Sequence, residues 1–121
     1  MHIQQQVLPK VSEIAAHFKL GQDTTRRLLK GSDLLPVAVK PDRYSWHDIW
    51  RLEGAGYVPA NLVDDFQLPL LKPAEVSWKF FPHLSPRTIT DRAKKGRLPG
   101  ILLGNDWRFR ECDMREASVY G

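Results

Sequence analysis

The fold is decided by residues 84–99, with the sequence LSPRTITDRAKKGRLP, in which one short helix is predicted to begin and end. Ser85 belongs to the residue types that cap the free amides at the start of a helix, and Pro86 suits the first helical position. Gly96 is typical of the residue that follows the end of a helix. These signals predict a helix from Pro86 to Lys95.

The predicted helix has one apolar side. Ile89 and Ala93 lie four residues apart and should form a buried stripe together with Leu84. The other faces are basic and polar, and they carry Arg87, Thr88, Thr90, Asp91, Arg92, Lys94 and Lys95, with Arg97 just beyond the helix. A basic helix face is most often only a solvated surface, so the neighbouring segments decide how this one is interpreted.

The flanking segments predict a helix before this one and a β-hairpin after it. Pro73 suits the first turn of the preceding helix, and Pro82 stops that helix. The run Ile101-Leu102-Leu103 predicts a strand, and Gly104-Asn105-Asp106 has the chemistry of a turn. Aromatic and basic residues alternate in the return strand, Trp107-Arg108-Phe109-Arg110. We therefore expect the aromatic rings to pack inward and the two arginines to face outward.

The same order of elements occurs twice in the chain. With an offset of 62 residues, Glu13-Ile14 falls on Glu75-Val76. With an offset of 63, the matched pairs are Thr25 and Thr88, Leu35-Pro36 and Leu98-Pro99, Tyr44 and Trp107, and Trp46 and Phe109. Identity between the halves is low, so the matched order is better evidence than any single pair. Each half is predicted to contain two short helices, a Leu-Pro turn, a hairpin and a closing helix.

The first half carries weaker versions of the same signals. The apolar spacing from Val11 to Phe18 predicts a helix that Ser12 caps. Asp23 is the predicted cap of a basic second helix that ends at Gly31. The predicted strands of the first hairpin are Val37-Ala38-Val39 and Arg43-Tyr44-Ser45-Trp46.

Composition narrows the class of protein. The 121 residues include 18 basic and 14 acidic side chains, with a formal charge of +4, and 42% are hydrophobic, which is typical of a globular chain. Between Lys79 and Arg110 there are eight basic residues and two acidic ones. This local excess favours an anionic partner such as nucleic acid. The single cysteine, Cys112, excludes an internal disulfide and fits a reducing compartment.

Other classes of function find little support in the sequence. The four histidines are scattered, and no Cys/His cluster has the spacing of zinc ligands. Ser85, His83 and Asp91 are better explained by helix capping than by a catalytic triad, and Gly54-Ala55-Gly56 lacks the features of a phosphate-binding loop. No membrane span or signal peptide is visible. We expect a non-enzymatic cytoplasmic protein without cofactor, metal or small-molecule substrate.

The second half resembles a known family on four separated blocks. These are residues 71–76 (LKPAEV), 84–89 (LSPRTI), 96–99 (GRLP) and 104–109 (GNDWRF). In this order they resemble the excisionase-type winged helix related to the MerR regulators, and the resemblance covers residues 70–116. The first half resembles the same family more loosely, and it departs from the pattern at Gly31-Ser32-Asp33-Leu34, where the family usually has a basic residue, a glycine and one further residue.

The resemblance implies a mainly α fold with small β-hairpin wings, arranged as two winged helix-turn-helix units in tandem. The units are residues 1–53 and 70–121. The connector between them, residues 54–69, contains apolar side chains and is predicted to be packed rather than free. The closing helices are expected to start near Ser45 and near Glu111.

The resemblance also implies a protein of a phage or another mobile element that binds double-stranded DNA. Such proteins act in the bacterial cytoplasm, at the nucleoid, as recombination directionality factors, as small transcriptional regulators, or as both. Possible further partners are an integrase and a second copy of the chain. The alternative is a winged helix that binds protein, as an anti-activator or as an adaptor for an integrase or polymerase.

In a helix-turn-helix the N-terminal residues of the second helix meet base edges. Arg87 is therefore the candidate for base reading, because its guanidinium matches the paired acceptors of guanine. The other DNA-binding candidates of the second unit are Thr88, Thr90, Asp91, Arg92, Lys94, Lys95, Arg97, Arg108 and Arg110. Those of the first unit are Thr24, Thr25, Arg26, Arg27, Lys30 and Arg43.

Overall fold

Short helices make up most of residues 8–120, the part of the chain that the computed structural model describes. The first half contains α1 (Val11–Phe18), α2 (Gln22–Gly31) and α3 (Trp46–Leu52), followed by a 3₁₀ turn (Ala60–Leu62) and α4 (Val63–Gln67). The second half contains α5 (Pro73–Phe80), α6 (Pro86–Lys94), the strands β1 (Ile101–Leu103) and β2 (Asp106–Arg108), and α7 (Glu111–Tyr120). The expected mainly helical chain with a small hairpin is confirmed; residues 1–7 and 121 of the predicted units lie outside the described residues.

The helix predicted in the second half begins and ends where its local signals place it. The Ser85 hydroxyl accepts a hydrogen bond from the Thr88 amide at 3.1 Å, and Pro86 is the first residue of α6. The helix ends at Lys94, and Gly96 follows with a φ of +71°. This left-handed conformation carries little penalty for glycine, which explains why a glycine stands there.

Two predicted helix caps in the first half are wrong. Helix α1 begins at Val11 and α2 at Gln22, so Ser12 and Asp23 lie within the first turns and do not precede them. The free amide at the start of α1 is bound instead by an acid of its first turn. The Glu13 carboxylate accepts the Lys10 amide at 2.9 Å.

The internal repeat is visible in matching local contacts. Glu75 corresponds to Glu13 when the two halves are aligned. Its carboxylate accepts a hydrogen bond from the Lys72 amide at 2.8 Å, as Glu13 does from Lys10, and so caps the first turn of α5. Before each of these helices the chain forms a single antiparallel bridge to the later part of its half. These bridges join Lys10 to Arg43 and Leu71 to Phe109.

The two halves differ in their hairpins. In the second half, β1 and β2 pair antiparallel, with Ile101 opposite Arg108 and Leu103 opposite Asp106. In the first half, the two predicted strands are wrong, since residues 37–39 and 43–46 form only an isolated bridge between Ala38 and Arg43. Prolines at 36 and 41 bracket that segment, and each lacks the amide that a longer ladder would need.

Two buried apolar clusters form the core. One lies within the second half and contains Val76, Ile89, Phe109 and Met114, among others. The other contains Ile14, Phe18, Leu29, Tyr44 and Ile49 of the first half together with Leu70, Ile101 and Leu103. Buried side chains of β1 thus complete the core of the first half, so the packing crosses the predicted division of the sequence.

A buried polar cluster also joins the halves. The Glu53 side chain is fully buried, and its carboxylate accepts hydrogen bonds from the Arg110 guanidinium and interacts with His17 Nε2 at 2.7 Å. The guanidinium of Arg110 lies over the Phe66 ring, 4.0 Å from its centroid. Since Phe66 belongs to α4, the connector between the halves is held by the same arginine that pairs with Glu53.

Two tryptophans, Trp50 and Trp78, have different surroundings. Trp50 is buried, packs edge-on against Phe66 and donates from Nε1 to the Phe66 carbonyl at 3.1 Å. Trp78, in contrast, is 72% exposed on α5. Of these two tryptophans, only Trp50 is a packing residue.

We predict that Glu53→Gln strongly destabilises the protein. The change leaves the buried Arg110 guanidinium without its main counter-charge, and breaking a buried ion pair from one side costs about 3–5 kcal/mol. Denaturant unfolding of both proteins measures the difference. As a control, Asp23→Asn removes a pair with Arg26 that is exposed on both sides and should cost less than about 1 kcal/mol. Equal effects of the two substitutions would contradict the proposed importance of Glu53.

A second prediction concerns acid stability. Burial alone would raise the pKa of Glu75, but the Lys19 ammonium and the Lys72 amide hold the pKa below its usual value. Ionised Glu75 therefore stabilises the fold above about pH 4.5, and this contribution disappears as the pH falls through the lowered pKa. Glu75→Gln should lower the melting temperature at pH 7, by an amount worth less than about 1 kcal/mol.

The difference between wild type and Glu75→Gln should vanish in acid, as measured by thermal unfolding from pH 7 down to pH 3. Lys19→Gln removes the same ion pair between α1 and α5 and should give the same pH dependence. A difference that persists unchanged at the lowest pH would show that the pair contributes nothing to stability.

Candidate nucleic-acid interface

Helix α6 presents one side to the core and the rest to solvent, as its sequence predicts. Ile89 is fully buried and Ala93 is 7% exposed, and Leu84 packs against the same cluster. The helix packs on α5, which precedes it by a short turn. A hydrogen bond from the Ser77 hydroxyl to the Leu84 carbonyl joins α5 to that turn.

The cationic side chains of α6 and its following turn are available to a ligand. Arg87, Lys94, Lys95 and Arg97 are exposed and Arg92 is half-buried; we call these five residues the α6 surface. Within residues 8–120, none of them forms an ion pair or a side-chain hydrogen bond. The one acid in the same stretch is Asp91, which is half-buried. The α6 surface is therefore a concentration of uncompensated positive charge.

Most other arginines of the described chain are already engaged. Arg26, Arg43, Arg51, Arg110 and Arg115 have carboxylate oxygens within 4.0 Å, and Arg108 is bound by backbone carbonyls. Arg27 is the exception outside α6, since it is exposed and has no such partner in this part of the chain. The contrast separates arginines that already have an intramolecular partner from arginines that are free to bind an external anion.

Two threonines of α6 make hydrogen bonds within the helix. The Thr88 hydroxyl lies 2.9 Å from the Ser85 hydroxyl, and the Thr90 hydroxyl donates to the Arg87 carbonyl at 2.8 Å. Both residues are half-buried. Each oxygen keeps an acceptor site, so the two residues stay candidates for contacts to base donors or for positioning Arg87.

Three of the DNA-binding candidates of the first half are exposed. Arg26, Arg27 and Lys30 are exposed on α2, and Thr24 is half-buried beside them. Arg26 donates to the Asp23 carboxylate at 3.1 Å, which reduces its free charge.

Two further candidates of the first half are not free. Thr25 is fully buried and its hydroxyl donates to the Gly21 carbonyl at 2.9 Å, so the prediction that it contacts DNA is wrong. The period of the helix places Thr25 on the core side, next to the buried Leu29. Arg43 is half-buried, and its guanidinium donates to the Leu8 carbonyl at 2.8 Å. Arg43 is thus held at the bridge near Lys10.

The prediction that Arg108 and Arg110 face outward is also wrong, since each is only 7% exposed. Arg108 donates to the carbonyls of Phe18, Lys19 and Trp107, in each case at 2.8 Å. Two of these carbonyls are at the C-terminal end of α1, where a cation is favourable. Burial lowers the pKa of Arg108, and the carboxylates of Asp106 and Glu75 oppose that effect.

The physical reason for the error lies in how the hairpin is covered. Alternation along β2 separates its two faces, as expected, but the hairpin packs against the second half on one face and the first half on the other. The face that carries Arg108 and Arg110 is covered by the first half, so these arginines lie at the contact between the halves, whereas Leu102 on the other face is 53% exposed. Sequence periodicity separates the two faces of a strand but does not say which distant element covers either of them.

Glu53 is the residue of this region that sequence reasoning missed. Its partners, His17 and Arg110, lie 36 and 57 positions away, so no local pattern marks it. Among residues 8–120, no group of three or more His, Cys, Asp or Glu side chains is placed to hold a metal ion. No helix within the same range is long and apolar enough to cross a membrane.

No protein-family model matches the chain, and no curated protein or solved structure is significantly similar to it. The function of the chain is therefore inferred from its own residues.

We predict that Ser85→Ala destabilises the start of α6. Loss of the bond from the Thr88 amide leaves a helix-end donor without its cap, which costs about 0.5–2 kcal/mol. The matched control is Ser12→Ala in the first turn of α1, where the exposed serine caps nothing and alanine is the better helix former. Urea unfolding should show a loss for the first variant only, and a loss of the same size in both would mean that Ser85 is not a cap.

Proposed function

We propose that this protein is a non-enzymatic, sequence-specific double-stranded DNA-binding protein built from two helix-turn-helix units in tandem, of which the second carries a β-hairpin wing. The observation that carries the proposal is the α6 surface, five cations that find no partner among residues 8–120 and lie on and just beyond the second helix of a packed helix pair. In DNA-binding proteins of this type the second helix enters the major groove. A free anion-binding surface at that position fits a duplex.

The same surface suggests a division of roles. Arg87 is exposed in the first turn of α6, where side chains reach base edges, and its planar fork suits guanine O6 and N7. Lys94, Lys95 and Arg97 lie at the other end of the helix and suit phosphates, which position the protein without reading sequence. The resemblance of residues 70–116 to excisionases extends the proposal to a phage or mobile element and to a directionality factor or a small transcriptional regulator in the cytoplasm.

A protein partner is a second candidate function, because one exposed segment is apolar. Leu35, Val37 and Val39 are 79%, 55% and 64% exposed, at alternate positions along the reduced hairpin of the first half. An integrase or a second copy of the chain is the kind of partner that the family resemblance suggests. The α6 surface itself is basic and polar, which favours DNA for that part of the molecule.

The proposal predicts strongly salt-dependent binding to duplex DNA. Each phosphate neutralised by a cation contributes a slope of about −0.9 to the plot of log K against log salt concentration. If the four cations of the α6 surface other than Arg87 each meet one phosphate, the slope is roughly −3.6. Mobility shifts on a duplex selected from a random pool, measured from 50 to 200 mM salt, give this slope. Absence of duplex binding even at the lowest salt overturns the proposed function.

Variants of α6 separate base reading from phosphate binding. Arg87→Ala should cost about 1–3 kcal/mol on the selected duplex and little on a random one. Lys94→Ala should weaken binding to both duplexes equally and make the salt slope shallower by about one. If both variants reduce binding to the two duplexes by the same factor, Arg87 does not read bases.

A further inference from the structure

A cleft of about 420 Å³ opens between α2 of the first half and the β1–β2 turn of the second. Thr24, Arg27 and Leu28 line one side of it, and residues 103–106 line the other. Arg27 is exposed and has no carboxylate partner within the described chain. The cleft therefore places a free cation of one half beside the hairpin turn of the other.

The hairpin is fixed in place on both of its faces. On one face, Ile101 and Leu103 belong to the buried cluster that contains Leu29 of α2. On the other face, the Trp107 ring is packed so closely that a Cβ added to Gly100 would lie 3.0 Å from its carbons. The same Cβ would lie 3.0 Å from Ala93 of α6. The hairpin thus stands between the second helices of the two halves.

The buried arginine of the hairpin adds a third attachment. Arg108 binds the Phe18 and Lys19 carbonyls at the end of α1, just before α2 begins. A turn held in this way keeps a constant distance from α2. Little conformational freedom would then be lost when a ligand bound across both elements.

The chemistry of the cleft suits a phosphodiester backbone. The Arg27 guanidinium and the exposed Asn105 side chain supply donors of the kind that phosphate oxygens accept. Gly104 adopts a left-handed φ of +64°, which gives the tight turn that presents Asn105. Asp106 also lines the cleft, and its carboxylate opposes an anion. Removal of this acid should therefore strengthen the binding of an anion, whereas removal of Asn105 should weaken it.

We infer that α2 and the β1–β2 turn form a second DNA contact, composed across the two halves. Thr24, Arg27 and Asn105 bind the phosphate backbone of the same duplex that α6 engages. This inference rests on the proposed function of α6. It makes the hairpin of the second half a part of the binding surface of the first half, whose own hairpin is reduced to a single bridge.

The inference is tested with the full chain and the selected duplex. Arg27→Gln and Asn105→Ala should each weaken binding about three- to tenfold at 100 mM salt, and Arg27→Gln should make the salt slope shallower by about one. Asp106→Asn should strengthen binding, because it removes a negative charge from the cleft. Arg51→Gln is the matched control, since it removes an exposed arginine of α3 and should leave affinity unchanged.

Footprinting locates the contact on the DNA. Loss of Arg27 should remove protection at one end of the footprint, while Arg87→Ala and Lys94→Ala affect the other part. Thermal unfolding of each variant confirms that the fold is retained, and a variant that unfolds is replaced by Arg27→Met or Asn105→Leu, which keep most of the volume but lack the charge or the donor.

The outcomes distinguish this inference from the proposal on which it rests. If the wild type binds no duplex, the proposed function fails. If the wild type binds and α6 variants weaken it, but Arg27→Gln and Asn105→Ala behave like Arg51→Gln, the composite contact is refuted and α6 acts alone. If Arg27→Gln abolishes capture of a second copy of the chain and not of DNA, the cleft is a protein contact and the inference is equally overturned.

Discussion

The relative placement of the two halves depends on the buried carboxylate of Glu53. A buried charge is costly unless a partner compensates it, and here the compensation comes from Arg110, at the other end of the chain. Arg110 in turn covers the Phe66 ring of the connector. First half, connector and second half therefore meet at one point, and the two halves cannot move apart without leaving a charge unpaired in the interior.

The hairpin between the halves follows from the same constraint. With Arg110 fixed, β2 immediately before it lies against the first half, where Arg108 binds the end of α1. The two arginines stabilise the contact between the halves and are lost as ligands for an external anion. Within residues 8–120, the arginines without an intramolecular partner are consequently fewer than the sequence indicates, and they are those of the α6 surface and Arg27 of α2.

The sequence predicts the features that are decided locally. Ser85, Pro86 and Gly96 define α6 through interactions within a few residues, and the buried stripe of Ile89 and Ala93 follows from helical periodicity. The errors have a different origin. Arg108 and Arg110 are predicted to face outward from the alternation of their own strand, yet their surroundings depend on which distant element packs against them, and periodicity carries no such information.

The two halves share one order of elements, but matched residues have different surroundings. Glu13 and Glu75 close their helices in the same way, but Thr25 is fully buried whereas its counterpart Thr88 is half-buried beside Ser85. The first half lacks the hairpin that the second half has, and the hairpin of the second half packs against it. Duplicated units that share one hairpin cannot present two equivalent surfaces. The DNA site proposed for a single chain is therefore asymmetric, because its two second helices differ both in sequence and in what stands beside them.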